Sequence, residues 1–180
     1  LADLARDDIL WWGEVAAGRE PAPELPPPAR GRLPELVALE SRLPGYAVAA
    51  GPGGSLPPDG APGGLIHCDL RLDNVLIDRA GRAWICDWNW LCHGPAWFDL
   101  AGLLITAHAS GLDADRLFAD HPATAGAPPD ALDVTLAALA GYLLTTAASG
   151  PTTASPHIRS HQRWSGEQAL RWLAARQGWG

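Results

Sequence analysis

Seventeen prolines and twenty glycines are gathered into breaks rather than scattered. They divide the chain into segments that suit helices of a few turns or very short strands. Residues 1–18 place Leu4, Ile9, Trp11, Trp12 and Val15 among charged side chains at helical spacing, which predicts an amphipathic helix ending near Gly18. Pro21, Pro23, Pro26, Pro27 and Pro28 then hold residues 19–30 extended, because proline cannot donate a backbone bond inside a helix. Leu33, Leu36, Val37, Leu39 and Leu43 predict a second helix, stopped by Pro44-Gly45. Residues 50–64 read as a loop. Two strands, 74–77 and 83–86, flank the turn Asp78-Arg79-Ala80-Gly81 and predict a hairpin. Beyond Trp97 the pattern is helical over 97–109, 113–120, 131–148 and 158–177, with Gly111, Pro128-Pro129 and Gly150-Pro151 between. The expected fold class is α+β, predominantly helical, over one unit of residues 1–180.

Composition narrows what such a body does. With 47% hydrophobic and 18% charged residues the chain has material for a core. A formal net charge of -7 lacks the basic excess that backbone-driven nucleic-acid binding requires, so no nucleic-acid partner is expected. Three cysteines, Cys68, Cys86 and Cys92, do not make a paired disulfide framework and fit a reducing, cytoplasmic location. The apolar run 134–148 is too short for a span and holds Thr135, Gly141, Thr145 and Thr146, so no membrane partner is expected. The first residues, LADLARDD, lack the order of a signal peptide. The chain has no methionine, and all its basic residues are arginine, which reads as part of a longer polypeptide.

The chemistry concentrates in His67-Cys68-Asp69-Leu70-Arg71-Leu72-Asp73-Asn74 and, after the hairpin, Cys86-Asp87-Trp88. Asp69 enters the hairpin, Asn74 starts its first strand and Asp87 ends its second, so antiparallel pairing brings three oxygen-bearing side chains to one end. Magnesium prefers oxygen ligands and keeps waters, so Asn74 and Asp87 suffice to hold it with phosphates completing the shell. Asp69 is then free to accept or orient a hydroxyl proton. Plainer readings stand beside this one. Asp73 and Asp78 suit turn chemistry, and His67 suits a structural place, because the carboxylate already does the proton work. Cys68, Cys86, Cys92, His67 and His93 invite zinc, but no C-x-x-C pair is present. Gly51-Pro52-Gly53-Gly54-Ser55 lacks the G-K-[ST] ending of a phosphate loop. Trp88, Trp90 and Trp97 flank the site either as an aromatic wall for a cationic or sugar-like substrate or as core.

The arrangement H-x-D-x-x-x-x-N with a later metal-binding Asp resembles protein kinases, and more closely the aminoglycoside phosphotransferase family of small-molecule kinases. Gly94-Pro-Ala-Trp-Phe-Asp99-Leu-Ala looks like that family's next helix. The resemblance implies a kinase-like C-terminal lobe whose hairpin bears the catalytic loop and the metal-binding Asp. Asp69 would be the catalytic base, Asn74 and Asp87 the Mg2+ ligands, and His67 and Asp99 supports of the loop. It implies transfer of the γ-phosphoryl group of ATP to a hydroxyl of a small molecule, with the first two helices and those from Trp97 onward building the acceptor pocket. The nucleotide-binding N-terminal lobe of the same polypeptide is missing from a chain without lysine. An inactive, truncated or pseudokinase-like binding module is the alternative. Cys68 stands where the family usually has glycine, which costs stability if the backbone there needs a positive φ.

Overall fold

The structure, a computed structural model, describes residues 1, 9–47, 63–150, 152 and 155–180. The first half supplies short helices, α1 (Trp12–Ala16), α2 (Leu33–Glu40) and α3 (Leu43–Ala47). Between α1 and α2 the proline-rich stretch runs outside helix or strand except for a 3-10 turn, Pro27–Ala29. The second predicted helix is corrected in detail. It breaks at Ser41-Arg42, and Pro44 sits in the first turn of α3, where its missing N–H costs no helical bond. The glycine loop 51–55 lies outside the described residues.

Two small antiparallel sheets follow. Strands β2 (Val75–Ile77) and β3 (Ala83–Ile85) form the expected hairpin, with Val75 opposite Ile85 and Ile77 opposite Ala83. Its turn is closed by Asp78, whose carboxylate accepts from the N–H groups of Ala80 and Arg82. The second sheet was not foreseen. It joins β1 (Gly63–Ile66) to β4 (Cys92–Pro95), with Leu65 opposite His93 and Ile66 opposite Cys92. It encloses the hairpin in sequence and fixes the start of the candidate loop, whose other end enters β2.

The remaining helices are α4 (Ala96–Ala109), α5 (Ala114–Asp120), α6 (Ala131–Ala148) and α7 (Ile158–Gln177). Asp113 caps α5 by accepting from the Arg116 N–H, and Gly178, at φ 65°, closes α7 in the left-handed conformation. The long apolar helix α6 is the axis of the core, packed by α2, α4 and α7. At mean hydropathy 1.5 it is long and apolar enough to cross a membrane, a longer run than 134–148, but 78% of it is buried inside the fold. Burial on all sides explains why it reads apolar around its whole circumference. Trp12 shows how closely the elements meet: its indole is buried against α6 and donates to the Ala137 carbonyl at 2.8 Å.

Candidate active site

The loop from β1 to β2 is fixed by groups on three sides. At its start the His67 and Cys68 N–H groups donate to the two carboxylate oxygens of Asp99, at 2.6 and 2.8 Å. Asp99 lies in the first turn of α4, so one side chain ties the loop to the helix that follows β4. Burial pushes its carboxyl above the ordinary range, while the two N–H donors act in the opposite direction.

His67 is buried at 1% exposure, and its ring spans the loop. Nδ1 accepts from the Asp69 N–H at 3.3 Å, and Nε2 lies 2.8 Å from the Cys86 carbonyl. The tautomer with its proton on Nε2 satisfies both contacts. Since Cys86 precedes Asp87, the imidazole connects the backbone of one candidate carboxylate to that of the other. Trp88 covers the ring at a centroid distance of 4.8 Å. Cys68 and Asp87 are the non-glycine residues with positive φ among those described, at 64° and 65°. The conformation that glycine would adopt freely is thus imposed on a cysteine beside Asp69 and on Asp87 itself.

The Asn74 side chain is nearly buried, and its Nδ2 donates to the Asp69 carbonyl at 2.9 Å. That bond orients the amide and leaves Oδ1 as its ligand end. Asn74 ends the 3-10 turn Leu72–Asn74, one residue before β2, and its carbonyl accepts from the Cys86 N–H at 2.9 Å. Asp87, exposed and two residues past β3, accepts from the Asn89 amide. The backbone therefore brings Asn74 and Asp87 to one end of the hairpin, as the spacing predicted. An amide oxygen and a carboxylate suit a hard cation with outside ligands.

Asp69 has both oxygens 2.9 Å from Arg71 Nη1, and Arg71 also pairs with Asp73 through Nε and Nη2 at 3.0 and 3.1 Å. Burial raises the Asp69 pKa. Arg71 and His67 lower it, and the neighbouring Asp73 and Asp87 carboxylates raise it again. Asp87 is thus close enough to Asp69 for their charges to interact. Arg71 escaped the sequence reading, although a basic residue two places after the candidate base was a visible signal.

Beside Asp69 and Arg71 opens a cavity of about 710 Å3, a size that holds a drug-sized ligand. Its walls come from α4, α6 and α7, with Ile9 and Trp11 at one side. Of the helices expected there, α2 and α5 contribute no lining residue. The three tryptophans divide: Trp90 lines the cavity, Trp88 lies on His67, and Trp97 is core at 3% exposure. Arg159 and His161, which also line the cavity, were missed, because nothing in the local pattern of α7 distinguishes them from surface residues. Of the residues of the zinc alternative, Cys68 and Cys92 touch each other, but the others do not join them. Cys86 turns its thiol to the Asn74 carbonyl, and no group of three or more His, Cys, Asp or Glu among the described residues could hold a metal ion.

A mostly helical body, small antiparallel sheets and a braced carboxylate loop beside a pocket have the make-up of a phosphotransferase. The chain belongs to the phosphotransferase enzyme family, whose sequence model matches residues 3–132. That match covers the loop, both sheets, α4 and α5, and reaches only the start of α6. Comparison with curated proteins and with solved structures gives no match.

Proposed function

We propose that the protein transfers the γ-phosphoryl group of ATP to a hydroxyl of a small molecule, with Asp69 as the catalytic base. The observation that carries this reading is the position of Asp69: braced by its neighbours, lining the cavity, and next to the hairpin end to which the backbone brings Asn74 and Asp87. Asn74 Oδ1 and the Asp87 carboxylate would hold Mg2+, which when bound supplies positive charge against the phosphates. Asp69 takes or orients the hydroxyl proton of an acceptor seated in the cavity. Arg71 holds that carboxylate in place and favours its charged form against the effect of burial. Asp99 and His67 fix the loop backbone, so Asp69 is positioned before the acceptor arrives.

The nucleotide requires a further surface, which we assign to an N-terminal lobe of the same polypeptide. The hairpin supports this assignment. Leu76, Ile77, Trp84 and Ile85 are all exposed, from 42% to 65%, on a two-stranded sheet. Such a hairpin is marginal alone, and an apolar patch of this kind marks a contact surface. The second reading, an inactive binding module, has one observation in its favour: Arg71 occupies both oxygens of the carboxylate.

Turnover separates the two readings. In the full-length protein Asp69→Asn should lower phosphoryl transfer by at least a hundredfold, within the range of a lost general base, while Mg-ATP binding stays within about threefold. Unchanged turnover would sink the assignment of Asp69.

A further inference from the structure

The cavity is described so far only as a place for an acceptor, but its lining is chemically one-sided. Its walls are mostly apolar or aromatic, with Phe98, Ile105, Leu139, Leu143 and Trp164 set on three helices. The carboxylates that line it among the described residues are Asp69, Asp73 and Asp99, and each is already engaged. Asp69 and Asp73 share the Arg71 guanidinium, and Asp99 takes two backbone N–H groups. An ammonium group would therefore have to share these carboxylates with Arg71 or with the backbone donors that already hold them.

The α7 wall adds a positive charge of its own, and His161 on it lies near enough to Asp73 for the two to interact. Arg159 is held by neutral partners, the carbonyls of Thr146 and Gly150 and the Gln162 side-chain oxygen, so its positive charge is not cancelled there. His161 lies beside it, with Nε2 buried and without a hydrogen-bond partner. A cation entering this space would leave water for apolar surface and a guanidinium, which is costly. A neutral ring system would bury apolar area against the helices, and an oxygen on it would give His161 a partner. The walls that α7 and most of α6 provide lie outside the residues matched by the family. Family membership therefore does not determine what they recognise.

We infer that the acceptor is an alcohol with a large, ring-bearing apolar body and no positive charge, carrying a hydrogen-bonding oxygen toward His161, rather than an amino sugar or a quaternary amine. This inference rests on the phosphotransferase reading, since it names the acceptor of the same site.

The test measures binding by calorimetry on the full-length protein, then transfer of labelled γ-phosphoryl from Mg-ATP. The neutral probes are 2-naphthaleneethanol, a sterol alcohol and an uncharged macrolactone. Kanamycin and choline are the cationic ones. At least one neutral probe should bind ten times more tightly than either cation. Leu139→Glu should weaken that binding at least tenfold, and Trp164→Glu, at an exposed position that folding tolerates, should do the same. Failure of all three neutral probes, equal or tighter binding of a cation, or affinity unmoved in both variants would overturn the inference. Transfer to kanamycin or choline would overturn the acceptor class alone and leave the phosphotransferase reading standing. Neutral binding in the expected order with no transfer to any acceptor would overturn that reading, and the acceptor role with it.

Discussion

A cysteine at φ 64° is an unusual choice, because a side chain in the left-handed region crowds its own backbone. Cys68 keeps the conformation because its N–H is bound to Asp99 and its neighbours on both sides are anchored. Cys68→Gly should therefore leave the fold as stable or more so, by up to about 1 kcal/mol. Cys68→Val adds a branched Cβ and should cost about 2 kcal/mol. Urea unfolding midpoints of the two variants check the order. Asp69, Asn74 and Asp87 were legible in the sequence because each is defined by a short spacing around one hairpin. The positive φ at Cys68 was foreseen only as a condition, since it depends on Asp99 reaching back across 31 residues. The Arg71 ion pairs were also out of reach. Whether an arginine faces its carboxylate or the solvent is decided by rotamers, not by spacing.

Among the elements, helices are the part of the fold most directly written in the chain. The spans 131–148 and 158–177 match α6 and α7, because Pro128-Pro129, Gly150 and Gly178 mark their ends. The pairing of β1 with β4 was not legible. It joins short segments, one of them rich in glycine, separated by the whole hairpin, and no alternation announces either. Nor could the sequence show how close α1 and α6 lie. A Cβ on Gly141 would sit 3.0 Å from the Trp12 indole nitrogen, the atom that donates to Ala137. Gly141→Ala should thus force the indole outward and cost roughly 1–3 kcal/mol despite the better helix propensity of alanine. A thermal melt showing a gain in stability would contradict this account of the contact.

At the scale of the whole molecule, one buried acid makes stability depend on pH. Glu40 is 2% exposed, accepts from the Gly13 N–H at 2.6 Å through Oε1, and has no partner for Oε2. Burial raises its pKa from 4.5 to about 7, against the pull of backbone donors at Trp12 and Gly13. Below 4.5 the group is protonated in both folded and unfolded chains and adds no pH dependence. As pH rises from there to about 7, only the unfolded chain releases the proton, so this residue lowers stability across that window, by about 3 kcal/mol in all. Glu40→Gln should flatten the profile over the same window and raise stability at pH 8, as denaturant titrations at several pH values would show. The imidazole of His67 has a different consequence for the whole. By linking the loop of Asp69 to the segment of Asp87 just past β3, it makes the floor of the site a single truss in which movement of one member pulls on the other. Any movement that admits reactants or shields them from water must then be borne by the parts that rest on this truss.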